Sequence, residues 1–350
     1  MGLASKSILE SWYKTHKYWD IHIILPFQRH FNFINARRNV GKSFSTQKFL
    51  ITEALEKGKQ FILIVRTQKE KKEGVLAQAF EKVLNNEFEG YEFSFKSDNL
   101  TCNGETLGFC YALTESNTFK KYSFPNVYYF YFEEYMIEED KGQRYVGGWK
   151  EPDILLNMYH TADREEDRIT CFFLGNNTSF YNPYHLHPAF KIPQVESGEI
   201  WYSENVLFHD AYASPLLKAD ESNSMFMKMI RGTDYNEYAS EGNYYDDNFN
   251  FIEKRPANAR HLANITHNSF TFGIWSSSIT HNAYISDKYD PSTKRWLATT
   301  QDDHTDGRIY ARGKNDIILQ WIGEKFKRGE LRFESMEIKK KFEEVLIKCM

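Results

Sequence analysis

Residues 36–43 read ARRNVGKS. They fit the phosphate-loop pattern GxxxxGK[ST] except that Ala36 stands in the first glycine position. In such a loop the backbone of Ala36, Arg37, Arg38, Asn39, Val40, Gly41, Lys42 and Ser43 would cradle phosphate oxygens at a helix N-terminus. Lys42 would neutralise the β- and γ-phosphates, and the Ser43 hydroxyl would ligate Mg²⁺. Ala36 fits only if its φ stays negative. GKS alone also arises by chance. Glu133-Glu134 closes the apolar run VYYFYF. Glu133 is assigned to the metal and Glu134 to the attacking water, because neighbours on a strand point to opposite faces. The competing reading is a solvated acidic turn. Asn176 follows the run ITCFFLG and is the candidate sensor of a γ-phosphate, the alternative being a plain Gly-Asn turn. Arg164 and Arg168 bracket DREEDR. Either could reach a neighbouring subunit's phosphates, or belong to a surface ion pair. Arg37 and Arg38 could clamp phosphate or switch between it and the carboxylates. Together these side-chain types suit nucleoside triphosphate hydrolysis.

Such groups need strand ends to hold them. Apolar runs at 31–35, 61–65, 127–132 and 169–174 read as buried strands, with shorter ones at 91–95 and 108–113. Helical spacing at 43–57, 75–84 and 152–160 alternates with them, although Gln47 and Lys48 interrupt the first stripe. Alternation of this kind predicts an α/β domain with a mainly parallel sheet over residues 1–202. Residues 203–250 read as a helical and polar linker that ends in EGNYYDDNFN. A smaller α/β domain is expected over 251–350, with strands at 269–274 and 282–286 and helices at 311–328 and 338–348.

Composition narrows the partners. The chain has 350 residues with 44 Lys+Arg and 48 Asp+Glu, a formal charge of −4. A protein that merely coats DNA would be basic. The charge is uneven: net +3 over 1–150, −11 over 151–250 and +4 over 251–350. With 16% aromatic residues the chain can bury large cores, which excludes disorder. No apolar run approaches the ~20 residues that cross a bilayer, and residues 1–9 lack a secretory core. Cys102, Cys110, Cys171 and Cys349 show no metal spacing and read as reduced thiols of a cytosolic protein. His185 and His187 read as satisfied loop histidines. Arg66, Lys69, Lys71 and Lys72 could line a nucleic-acid channel through phosphate contacts, or form a solvated helix face. Tyr13, Tyr18 and Trp19 could stack on a base or anchor the N-terminus.

ARRNVGKSF, RTQKEKK, FPNVYYFYFEEY, FFLGNN, FGIWSSSITHNAYISDKYDP and GELRFES, in that order, resemble the DNA-packaging (encapsidation) ATPases of phi29-like podophages. The resemblance implies a P-loop ATPase of the additional-strand, catalytic-glutamate (ASCE) class, using ATP and Mg²⁺. It implies a pentameric ring on the procapsid portal in the host cytoplasm, with no membrane, that drives double-stranded DNA into the shell. A packaging RNA is a possible further partner. Arg38 would have a switching role and Glu134 would be the catalytic base. Arg164 would act in trans as an arginine finger, with Lys120 or Lys121 as further trans-acting candidates. Arg66, Lys69, Lys71 and Lys72 would face the channel. The C-terminal domain would be a vestigial, RNase H-like nuclease. Its acid-bearing strand is taken to be TFGIWSSS, which has no carboxylate, so nuclease activity is expected to be absent. Two other readings stay open: a large-terminase-like enzyme with an active nuclease, and a structural ring subunit with a degenerate nucleotide site.

Overall fold

The apolar runs of the first 210 residues become strands of one sheet, and the sequence between them folds back as helices. The structure, a computed structural model, describes residues 1–96, 98–138, 142–233, 244, 247–311 and 316–350. It divides into two units, Met1–Asp246 and Asp247–Met350.

The first unit begins with β1 (Gly2–Ala4), α1 (Ser7–Tyr13), β2 (Phe31–Asn35), α2 (Lys42–Lys57), β3 (Gln60–Val65), α3 (Gln68–Lys72) and α4 (Val75–Glu87). β4 (Phe93–Lys96), β5 (Asn99–Cys102), β6 (Glu105–Ala112), α5 (Ser116–Phe119), β7 (Val127–Glu133), α6 (Glu151–Asp163) and β8 (Thr170–Gly175) follow. β9 (Ile200–Tyr202), β10 (Val206–Asp210), α7 (Pro215–Ser222) and α8 (Met225–Ile230) complete it. The ten strands lie in the order β1-β9-β10-β2-β8-β7-β3-β6-β5-β4. From β10 to β6 they are parallel; β1, β9, β5 and β4 pair antiparallel at the edges.

Side chains alternate between two cores, as strands covered on both faces require. Ile34, Leu63, Tyr131 and Phe172 pack on the side of α2 and α4. Phe33, Ile62, Phe132 and Phe173 pack on the side of α6. The break in the α2 stripe has a cause: Gln47 is buried and its amide donates to the Tyr131 hydroxyl at 3.2 Å. Gly58, at φ 65, ends that helix.

One boundary needs correction. The segment expected to be a linker from residue 203 contributes β10, which pairs in parallel with β2, so the sheet does not end at 202. The apolar run VLFHD is short, and the acidic average around it hides it. Residues 234–243 and 245–246 of the expected linker lie outside the described residues.

The second unit carries β11 (Arg260–His267), β12 (Phe270–Ser276), β13 (Ala283–Ser286), β14 (Trp296–Ala298), β15 (Ile309–Tyr310), α9 (Ile317–Lys327), β16 (Leu331–Phe333) and α10 (Met336–Cys349). Its sheet order is β15-β14-β11-β12-β13-β16. An antiparallel meander, β11-β12-β13, has β14 and β15 laid parallel beside its first strand. The helices α9 and α10 share its core with Ile265, Ile274 and Leu297. The first strand is β11, missed in the sequence because polar residues dilute RHLANITH. TFGIWSSS therefore belongs to the second strand of this sheet, not to the first, where the acid was expected. β11 likewise carries no carboxylate. Of the expected helix at 311–328, residues 312–315 lie outside the described residues.

Candidate nucleotide-binding site

The phosphate loop leaves the C-terminal end of β2 and enters α2 at Lys42. Two residues turn it through positive φ, Asn39 at 66° and Gly41 at 106°. Ala36 keeps a negative φ, which is why no glycine is needed there. Gly41 has a steric reason as well. A Cβ there would lie 3.0 Å from the Tyr18 Cβ and 3.2 Å from the Trp19 carbonyl oxygen. The N-terminal segment thus lies across the loop, and the Trp19 amide donates to the Val40 carbonyl at 2.9 Å.

Lys42 is buried. Its Nζ donates to the carbonyls of Ala36 (2.7 Å) and Arg37 (3.2 Å), and to Asn176 Oδ1 (3.4 Å). Burial pulls its pKa down to about 7, against the raising pull of Glu133 and Glu134. A buried ammonium whose hydrogen bonds, among the described residues, run to neutral oxygens is a site that an anion would complete. Beside it, the Ser43 hydroxyl donates to one Glu133 oxygen, and the Tyr131 hydroxyl donates to the other at 2.9 Å. Hydroxyl and carboxylate are hard oxygen donors, the chemistry that suits Mg²⁺.

Glu134 departs from the expected alternation. It lies just past β7 with φ 55, in the left-handed region. This kink brings Glu133 and Glu134 to the same cleft instead of opposite faces. The cleft is about 1310 Å³ and is also lined by Arg38, Lys42, Ser43 and Asn176. These side chains all lie at C-terminal strand ends, on the loop after β2 or at the start of α2, where open α/β sheets bind ligands.

The loop arginines have carboxylate partners. Arg37 is buried and donates to Glu221 of α7 at 2.5 Å, whereas Arg38 donates to Glu138 at 2.7 Å. Of the aromatic candidates, Tyr18 lines the cleft together with Trp12 and His16, whose rings stack 3.7 Å apart. Tyr13 and Trp19 are buried anchors, bonded to the Tyr212 carbonyl (2.6 Å) and to His209 (3.2 Å), although Trp19 also borders the cleft.

The remaining cations separate clearly. Arg164 caps α6 in the left-handed region and is exposed. It precedes the N-terminal end of β8, whereas Asn176 follows the other end, about 20 Å away along six residues of strand. Arg168 is a staple: its guanidinium donates to the carbonyls of Phe124 (2.9 Å), Ala162 (2.5 Å) and Val127, and to Glu166 (2.7 Å). It is not free to reach a neighbour. Lys120 and Lys121 are exposed after α5. Arg66 is buried and cannot face a channel. Its Nε donates to both Glu151 oxygens at 3.2 Å, and its fork donates to the backbone carbonyls of Glu134 (2.7 Å) and Tyr135. It therefore supports the backbone of the very residue assigned to water activation. Lys71 is likewise engaged, with Asp98 at 2.7 Å and Glu115 at 2.9 Å. Lys69 and Lys72 of α3 are exposed. Sequence reading missed Glu151, Asp210, Glu221, Trp12 and His16; each is a single residue brought in from another element, with no local pattern to mark it.

The sequence model described as "Podovirus DNA encapsidation protein (Gp16)" matches residues 14–350. The DNA packaging proteins of Bacillus phages PZA and phi29 are each 28% identical over 317 residues, 90% of this chain and 93% of theirs. A solved structure described as "The bacteriophage Phi-29 viral genome packaging motor assembly" matches with TM-score 0.72 and 25% identity, covering 96% of this chain and 100% of that one. The structure described as "The Phi-28 gp11 DNA packaging Motor" shares the fold, with TM-score 0.63 and 14% identity over 96% of this chain and 98% of that one. With a family model that matches residues 14–350, nearly the whole chain, the protein belongs to the podovirus DNA encapsidation family.

Proposed function

We propose that this chain is the motor ATPase that drives double-stranded viral DNA through a portal into a procapsid. The observation that carries the reading is the convergence of Lys42, Ser43, Glu133, Glu134 and Asn176 on one cleft. Lys42 binds the β- and γ-phosphates, and Ser43 with Glu133 would hold Mg²⁺. When bound, that ion offsets phosphate charge in the transition state. Glu134 orients the attacking water and accepts its proton, and Asn176 contacts the γ-phosphate beside Lys42. Trp12, His16 and Tyr18 offer aromatic faces for the adenine.

Arg164, exposed and about 20 Å of strand from its own loop, is suited to a neighbouring subunit's site, as a homo-oligomeric ring on the portal requires. The assembly in this reading is a pentamer attached to a procapsid in the host cytoplasm, with or without a packaging RNA; the similarity to a chain of a viral genome packaging motor assembly supports its attachment to packaging machinery. Nuclease activity is not part of the proposal, because two-metal cleavage needs clustered acids and the central strand β11 supplies none. The degenerate-site reading drew on Ala36 and on Glu133, which stands where an Asp is usual; the first of these weakens, since Ala36 fits the loop with negative φ.

ATP hydrolysis, measured with and without double-stranded DNA, tests the proposal. Wild type is expected to turn over ATP faster with DNA. Glu134→Gln is expected to lose turnover by about 100-fold or more while still binding ATP. A wild type that hydrolyses no ATP even on procapsids, or a Glu134→Gln protein with normal turnover, would refute it.

A further inference from the structure

β10 and β8 are not neighbours; β2 lies between them. Yet one side-chain contact joins their ends. Asn177, two residues past β8, donates from Nδ2 to Oδ1 of Asp210, the last residue of β10, at 3.0 Å. Asp210 stands beside Asn35 in register, the residue from which the phosphate loop departs. The bond therefore arches over the root of that loop. Backbone contacts close the same arch from below: the Ala36 amide donates to the Gly175 carbonyl at 3.2 Å, and the Ala211 amide to the Asn35 carbonyl at 2.7 Å.

Consecutive amides divide the work. Asn176 faces the cleft and meets Lys42, whereas Asn177 turns away from it toward β10. The Thr178 amide donates to the Asn176 carbonyl at 2.8 Å, so the two amides belong to one tight turn. Fixing Asn177 fixes Asn176. Both Asn177 and Asp210 are buried. A carboxylate in that setting is a poor choice for stability alone, because burial raises the cost of its charge. Burial lifts the Asp210 pKa to about 7, while the Asn177 bond and the Lys42 ammonium draw it back.

We infer that Asp210 and Asn177 form a clasp across the root of the phosphate loop that holds the Asn176 amide against Lys42, making Asp210 a positioning residue for hydrolysis. The inference rests on the proposed function, since Asn176 matters only if a γ-phosphate occupies the cleft.

Steady-state ATP hydrolysis with DNA, on the full chain, separates the two. Asp210→Ala is expected to lower kcat about 10-fold or more with KM for ATP within about 3-fold. Asn177→Ala should do the same, and the double variant should be no worse than either, as for two residues acting through one hydrogen bond. Asp210→Asn keeps an oxygen that can accept the Asn177 N–H, so it should recover most of the lost kcat. A merely structural role would lower the amount of folded protein without this kcat–KM split or this rescue. Normal kcat in Asn177→Ala, or additive losses in the double variant, would overturn the clasp while leaving the hydrolysis reading intact. Should Asp210→Ala not fold, Asn177→Ala and Asp210→Asn still decide. An inactive wild type would overturn the hydrolysis reading and the clasp with it.

Discussion

Single side chains around the cleft are placed by burial as much as by chemistry. His185 is fully enclosed; its Nδ1–H donates to the Phe180 carbonyl at 3.0 Å and its Nε2 lies 2.6 Å from the Tyr135 hydroxyl. That hydroxyl also lies 2.7 Å from Asn35 Oδ1, so the histidine supports both the residue after Glu134 and the strand beneath the phosphate loop. Burial lowers the His185 pKa to about 3, and does the same to His209. The unfolded chain therefore binds more protons than the folded one between the ordinary histidine value and about 3. Stability should fall as pH drops through that window, by up to ~1.4 kcal/mol per pH unit for each imidazole. His185→Phe should flatten the slope of unfolding free energy against pH between about 6 and 4, measured by urea unfolding at several pH values. An unchanged slope would mean that His185 is protonated in place.

Elements decide which of the chemically plausible residues can act. The phosphate loop, the carboxylate pair and Asn176 were legible in the sequence because each ends an apolar run, and strand ends are where parallel sheets bind ligands. The cation assignments were less legible, since RTQKEKK does not disclose that Arg66 is the last buried step out of β3 whereas Lys69 and Lys72 ride the exposed side of α3. DREEDR likewise conceals that Arg168 turns inward to three carbonyls while Arg164 is held outward by the left-handed cap of α6. The boundary placed at 202 failed for a related reason: β10 is a five-residue strand whose partner, β2, lies some 170 residues away, and no local pattern reports such pairing. The α6 cap makes the trans reading testable. Arg164→Ala and Glu134→Gln proteins should each be inactive alone. A mixture should regain part of the activity, because a Glu134→Gln subunit can lend Arg164 to a neighbour with an intact Glu134. Mixtures as inactive as the separate proteins would show that Arg164 does not act between subunits. Arg168→Ala should instead lower thermal stability, by about 1–3 kcal/mol for the carbonyls left unpaired.

At the scale of the whole molecule, a net charge of −4 on a DNA-moving protein becomes intelligible once the cations are sorted by where they point. The acidic excess is confined to residues 151–250, and some of the basic charge elsewhere is already engaged inside the fold, as with Arg66 and Lys71. Of the four expected channel cations, only Lys69 and Lys72 are exposed. A motor must let DNA slide between steps, so few phosphate contacts per subunit serve it better than many. If Lys69 and Lys72 make those contacts, replacing both with Ala should weaken DNA stimulation of ATP hydrolysis while leaving the DNA-free rate unchanged, since neither residue lines the nucleotide cleft. The logarithmic salt dependence of stimulation should become shallower, by roughly 0.9 for each DNA phosphate that is no longer neutralised. An unaltered salt slope in the double variant would move the DNA-facing surface away from α3, with Arg66 excluded by its burial and Lys71 by its ion pairs, and would point to cations outside the segment that follows β3.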